Sequence, residues 1–200
     1  MGFTLTRVLA IAVLLAGPVF AQTGPTNESS RESENGGGGG AGYRDEGTFS
    51  LKPGIGFTSS PTTLLLGFEG DYRVIEPVSI GLLTEVGIDD DLTIVSPQVF
   101  ARYWPDLGEM IDPDIAFIEP YLHLGVGFSW WDADVYKGVN DDDTQFLLSP
   151  GFGVDFRINK NLAVGTQMLF NVIPAGIHDH TPIDDQFYYS WQVIGLRLRF

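Results

Sequence analysis

Eight times along residues 47–200 the chain alternates apolar positions with polar or small ones at a period of two. The runs cover 49–57, 64–74, 78–88, 93–103, 122–130, 146–156, 162–172 and 190–200, with turn-forming residues between them. A period of two predicts strands whose two faces meet different surroundings. The connections alternate in character. Ile75-Glu76-Pro77 and Asn159-Lys160-Asn161 predict tight turns at one end. Ser59–Thr63, Asp89–Leu92, Trp131–Gln145 and Ile173–Tyr189 join the strands at the other end, the last two as long polar loops. Leu107–Pro120 is long on the side of the tight turns, where it leaves room for a short helix.

The two faces differ sharply. One holds 46 positions without a charge, among them Leu64, Leu66, Phe68, Ile80, Leu82, Leu122, Leu124, Ser190, Gln192, Ile194 and Leu196. The 38 intervening positions carry nine charges: Lys52, Glu69, Asp71, Arg73, Glu85, Arg102, Asp155, Arg197 and Arg199. They also carry Gln98, His123, Gln167, Asn171 and 11 glycines. Alternation alone does not say which face is inside. A lipocalin-like barrel hides its apolar face, and a membrane barrel turns it outward. Three features decide for the membrane barrel. Tilted strands of this length match a bilayer core. A face rich in glycine suits a crowded interior. Aromatic residues gather toward the strand ends (Tyr72, Tyr103, Trp104, Trp130, Trp131, Tyr188, Tyr189, Trp191), as in interfacial girdles. In lipid every backbone group must be paired within the protein, so the strands must close on themselves.

This reading predicts an eight-stranded antiparallel up-and-down transmembrane β-barrel with both termini on one side. Its lumen is wide enough only for side chains to fill. The charges that parity sends there must pair, because isolated ones would be very costly. They form a plug, or they line a narrow ion path with an anion constriction near the termini. Pro53, Pro97 and Pro150 fall inside predicted strands, where each removes a ladder donor, and β-bulges are expected there.

Two segments precede the barrel. Residues 1–21 have one basic residue, Arg7, then an apolar run from Val8 to Ala16, the breakers Gly17 and Pro18, and small residues Val19 and Ala21 before a cut. That is the pattern of a secretory signal peptide, and the run is too short for a spanning helix. Residues 22–46, QTGPTNESSRESENGGGGGAGYRDE, have almost no apolar side chains and predict a disordered linker.

Composition narrows the chemistry. The net charge is −15, from 26 Asp+Glu against 11 Lys+Arg, which argues against nucleic acid as a partner. There is no cysteine, hence no disulfide, thiolate metal site, thiol nucleophile or lipid-modified cysteine. Acidic clusters at Asp89-Asp90-Asp91, Asp132, Asp134, Asp141-Asp142-Asp143, Asp179 and Asp184-Asp185 lie in the loops away from the termini. Their spacing fits no EF-hand, and they read as solvated loops with divalent ions bridging to nearby lipid. His178-Asp179-His180 lacks a third metal ligand at fixed spacing. It lies near Thr181 and Asp184 but beside no serine nucleophile, so no catalytic, cofactor or metal residue is assigned.

Three stretches carry a resemblance. Glu119-Pro120-Tyr121-Leu122-His123-Leu124-Gly125-Val126-Gly127-Phe128-Ser129-Trp130 resembles the fifth strand of small outer-membrane barrels of the OmpA/OmpX type. Gly151-Phe152-Gly153-Val154-Asp155-Phe156-Arg157-Ile158-Asn159-Lys160-Asn161-Leu162 resembles their sixth strand and the turn after it. Leu196-Arg197-Leu198-Arg199-Phe200 is similar to their C-terminal signal for the barrel assembly machinery. The resemblance implies a Gram-negative outer membrane, periplasmic termini and short periplasmic turns; the signal peptide implies Sec export, and lipid and lipopolysaccharide are the expected partners of a monomer. The function expected is a structural or surface-interaction role, with a plugged lumen and acidic extracellular loops. A narrow channel for ions or small hydrophobic molecules is the first alternative, and a lipid-A-modifying enzyme the second.

Overall fold

A computed structural model describes residues 46–90, 92–135, 139–174 and 187–200. Eight antiparallel strands form a closed barrel, each paired with its neighbours in sequence, and the last pairs with the first. They are β1 (Phe49–Ser59), β2 (Leu64–Ile75), β3 (Val78–Ile88), β4 (Leu92–Tyr103), β5 (Ile118–Val135), β6 (Val139–Asn159), β7 (Leu162–Val172) and β8 (Phe187–Arg199). Their β-branched and aromatic residues favour an extended, half-buried backbone. Both ends of the described barrel lie on one rim, where the Phe200 N–H donates to the Phe49 carbonyl at 2.9 Å.

The apolar face points outward. Leu64, Phe68, Ile80, Leu82, Val99, Leu122, Leu124 and Phe152 are all exposed on the outer wall, whereas the charged positions are buried. The residues predicted as signal peptide, most of the linker, Asp91, Asp179, Asp184-Asp185 and His178-Asp179-His180 lie outside the described residues.

Several expectations are corrected. Residues 131–135 and 139–145, expected within a long loop, continue β5 and β6 as paired strands, with Trp131 opposite Asp143 and Val135 opposite Val139. The alternation that marks the strands fades there under the run of aspartates. The 107–120 connection holds a short helix α1 (Leu107–Met110) and a 3-10 turn (Pro113–Ile115) capped by Asp112, and β5 then starts at Ile118.

No register shift occurs at the prolines. Pro53, Pro97 and Pro150 pair regularly with Phe68, Thr84 and Leu124. Beside each, the ladder to the other neighbouring strand skips its partners without a change of register. A lost donor thus costs one ladder bond on one side and needs no extra residue. Register shifts lie instead beside the tight turns, at Arg73–Ile75 and Arg157–Asn159, and at a bulge within β8, where Gly165 pairs with Gly195 but Gln167 pairs with Gln192. Both Val193 and Ile194 face out, so upstream of them the parity flips. Ser190 and Gln192, expected on the lipid face, are buried in the lumen, and Trp191 and Val193 face out.

The bulge frees a carbonyl on the outer wall, where no water would replace its partner. The Thr166 hydroxyl donates to the Gln192 carbonyl at 2.9 Å and accepts from the Trp191 indole at 2.8 Å. On the other side, Gly56 lies against the bulge so closely that a Cβ would come within 1.8 Å of the Trp191 carbonyl oxygen. Only glycine fits there.

Candidate functional site in the barrel lumen

The thirteen charged, Gln, Asn and His side chains that parity assigns to the lumen are all buried there: Lys52, Glu69, Asp71, Arg73, Glu85, Gln98, Arg102, His123, Asp155, Gln167, Asn171, Arg197 and Arg199. They sort into layers along the barrel axis. At the rim that holds the chain ends, Arg199 and Arg157 both meet the buried carboxylate of Glu119, the latter at 3.5 Å. Arg157 also donates to the Ala116 carbonyl at 2.8 Å, which ties the 107–117 connection to β6.

Above lies an ionic belt. Arg102 makes a bidentate pair with Glu69, at 2.6 and 2.5 Å, and its guanidinium also donates to Gln167 Oε1 and His123 Nδ1. Arg197 donates to three carboxylates: Asp155 at 2.6 Å, Asp71 at 2.7 Å and Glu69 at 2.7 Å. Lys52 Nζ reaches Asp155 at 3.0 Å and the Tyr121 hydroxyl at 2.8 Å. Three cations meet three carboxylates, so the belt is neutral. Each ion takes bonds from at least one partner of opposite sign, which is what burial of charge requires. Aromatic faces complete the cations' shells: Arg102 lies 4.5 Å over Tyr121, and Arg197 lies 5.0 Å over Trp104. Gly165 leaves the room that Asp155 occupies, since a Cβ there would lie 2.0 Å from Asp155 Oδ1.

The His123 ring nitrogen Nδ1 accepts from Arg102 Nε at 3.2 Å, so the ring is neutral with its proton on Nε2. A second cation there would face Arg102 directly.

Beyond the belt the lumen turns apolar on three strands. Leu83, Phe100 and Leu169 pack together, each following a belt or glycine position on its own strand. A second polar nest follows, made of Glu85, Ser96, Ser129, Ser149, Asn171, Ser190 and Tyr188. The end away from the termini is closed by Ile94, Trp131, Leu147 and Tyr188, with Trp131 edge-on to Tyr188 at 5.6 Å. Thus three of the eight aromatics expected in outer girdles, Trp104, Trp131 and Tyr188, fill the lumen. Their parity places them on the inner face, and strand-end position alone does not. Tyr72, Tyr103, Trp130 and Trp191 do face out.

Sequence reasoning missed Glu119 and Tyr121 as lumen residues. The signal was present: Glu119, Tyr121 and His123 continue one parity upstream of the predicted start of the fifth strand. Among the described residues no group of three His, Cys, Asp or Glu side chains is placed to hold a metal ion. A groove of about 650 Å³ over Gly70, Gly81 and Ala101 lies among outward-facing Tyr72, Leu82 and Val126.

No protein-family model and no curated protein matches the chain. Solved structures do. Neisserial surface protein A has 15% identity and a TM-score of 0.58, covering 76% of this chain and 96% of that one. The N-terminal barrel domain of Pseudomonas aeruginosa OprF has 11% identity and a TM-score of 0.56, covering 78% and 98%. Ail, the attachment invasion locus protein of Yersinia pestis, has 15% identity and a TM-score of 0.53, covering 78% and 100%. With its closed ring of eight strands and its apolar outer wall, the chain has the fold of the small eight-stranded outer-membrane β-barrels.

Proposed function

We propose that the protein is a closed outer-membrane barrel with a structural or surface-interaction role. Its body sits in lipid, its lumen conducts nothing, and its acidic hairpins and loops are what it presents. The observation that carries this reading is the neutral ionic belt, in which every cation is bonded to a carboxylate and the Leu83, Phe100 and Leu169 cluster follows. A conducting path would need those pairs to part, at a cost the folded barrel has no visible source for. The outer wall supports residence in lipid, because so continuous an apolar surface cannot be left in water.

The rest of the reading follows from that. The protein reaches the outer membrane by Sec export and is inserted by the barrel assembly machinery through the Leu196–Phe200 strand. Both ends of the barrel face the periplasm, the protein is monomeric, and lipid and lipopolysaccharide are its surroundings. It does no chemistry of its own.

Two measurements test this. Cell fractionation with a heat-modifiable gel shift should place the protein in the outer-membrane pellet, migrating faster unboiled than boiled. Planar-bilayer recording of the purified protein should show no discrete conductance steps. Steady unitary steps would replace the plug by the narrow-channel reading. A mass change of lipid A on incubation with the protein would replace it by the enzymatic one.

A further inference from the structure

One carboxylate in the lumen has no cation. Glu85 is buried and forms no ion pair among the described residues; the belt cations are committed to Glu69, Asp71 and Asp155. Its register makes matters worse. Glu85 lies opposite Gly67, and Glu69 lies one inward position further along the same strand, so a second carboxylate is a diagonal neighbour.

The hydrogen bonds around Glu85 run one way. Ser149 donates to Asn171 Oδ1 at 2.6 Å, Asn171 Nδ2 donates to Ser190 Oγ at 3.2 Å, and Ser190 Oγ lies 3.0 Å from both Glu85 oxygens. With its acceptor side taken by Asn171, the Ser190 hydroxyl turns its one hydrogen toward Glu85. A chain of donors ending on a carboxylate suits the ionised, acceptor-only form. One shared hydrogen leaves most of the lone-pair capacity of a buried carboxylate unmet.

Hydroxyl oxygens lie on the neighbouring strands. Ser96 stands opposite Glu85 on β4, its Oγ 3.0 Å from Ser129 Oγ and 3.2 Å from the Tyr188 hydroxyl. Two glutamine amides bound the nest on the belt side. Gln98 Oε1 lies at Gly125, the rung of Ser149, whereas Gln192 turns its Nε2 to Gly67, the rung of Glu85, and its Oε1 to Gly195 beside Lys52. Gln98 is 3% exposed, yet neither of its amide atoms has a hydrogen-bond partner among the described residues. An unsatisfied buried amide of this kind marks a place where something polar belongs.

We propose that the Glu85 carboxylate, with the hydroxyl oxygens around it and Gln98 Oε1, binds one monovalent alkali cation inside the barrel. A single formal charge among neutral oxygens suits Na⁺ or K⁺, whereas divalent sites gather several carboxylates. The bound ion neutralises Glu85 and screens it from Glu69. It is a structural ion, enclosed between the Leu83, Phe100 and Leu169 cluster and the Ile94, Trp131, Leu147 and Tyr188 cap. The site does not depend on the lumen being closed or conducting.

The test is equilibrium unfolding of the full chain, folded in detergent micelles, in NaCl, KCl or choline chloride at one ionic strength, with CaCl2 as a further arm. Na⁺ or K⁺ should stabilise the barrel over choline. Each tenfold rise above the dissociation constant should lower the unfolding equilibrium constant about tenfold. E85Q should abolish that dependence, and Ser190→Ala should displace it to higher cation concentration, which serves the same purpose if E85Q fails to fold. Identical unfolding of the wild type in Na⁺, K⁺ and choline would overturn the proposal. So would stabilisation by Ca²⁺ alone, or an infrared band of a protonated carboxyl in Na⁺ that E85Q removes.

Discussion

Replacing Arg197 by Met tests the belt where it is most connected. The guanidinium is 1% exposed and donates to Asp155, Asp71 and Glu69 at 2.6, 2.7 and 2.7 Å. A hydrogen bond to a charged group contributes about 1.5–3 kcal/mol, so three of them would sum to roughly 4–9 kcal/mol if independent. They are not independent. Asp155 keeps Lys52 at 3.0 Å, Glu69 keeps its bidentate Arg102, and Asp71 keeps Arg102 only at 3.7 Å. One carboxylate is therefore left nearly alone, and the loss should fall at about 3–5 kcal/mol, the cost of removing one partner from a buried ion pair. With a urea slope of about 2 kcal/mol per M, the unfolding midpoint should drop by about 2 M. Arg197→Lys keeps the charge but loses the three-way fork, and should fall between the two. The assay is urea unfolding of the barrel in lipid vesicles, followed by tryptophan fluorescence and gel mobility, with bilayer recording of both variants. A midpoint within about 0.5 M of wild type for Arg197→Met, which that slope converts to about 1 kcal/mol, would mean that water already solvates the belt and that the plug does not exist.

Three further outcomes are expected. Gly165→Ala should destabilise the barrel by about 1–3 kcal/mol in the same unfolding assay, because its Cβ would lie 2.4 Å from the Val154 carbonyl oxygen as well as against Asp155. Leu82→Arg, on the outer wall at 55% exposure, should cost about 2–4 kcal/mol in vesicles, as an arginine does near the bilayer midplane; the same change should cost much less in detergent micelles, where the head can reach water. Leu169→Ala should cost about 2–5 kcal/mol, because the side chain is fully buried against Leu83 and Phe100 inside the lumen.

Most of the fold and of the lumen was legible because one rule governs both. Where a strand keeps a strict period of two, knowing one outward residue places all the others, and this puts the nine charged side chains and Gln98, His123, Gln167 and Asn171 where they are buried. The rule fails where parity breaks or where no contrast marks it. The bulge at Val193 sits in an apolar stretch, so strict alternation sends Ser190 and Gln192 outward although both are buried. The paired strands at 131–135 and 139–145 carry aspartates, at consecutive positions in the second, which hide a strand behind the composition of a loop. Which cation meets which carboxylate could not be read at all, since Arg197 and Glu69 are 128 residues apart and meet across the lumen.

The same network bears on how one register is chosen over its neighbours. Belt residues come from seven of the eight strands: Lys52 from β1, Glu69 and Asp71 from β2, Arg102 from β4, Tyr121 from β5, Asp155 from β6, Gln167 from β7 and Arg197 from β8. Sliding any one strand by a residue exchanges its faces. For β2 that would carry Glu69, Asp71 and Arg73 into lipid and draw Phe68 and Tyr72 into a lumen already filled. Charge on the lipid face costs up to about 2–4 kcal/mol per basic residue, and the partners left inside would be buried unpaired. An apolar core of the same volume would supply no such penalty, because a slipped strand would still present apolar side chains to lipid. The belt therefore does more for the specificity of the barrel than for its net stability. Replacing all six of its ions at once by apolar residues of similar size should leave a barrel that folds yet populates more than one register, whereas removing Arg197 alone should keep the one register and lower its stability.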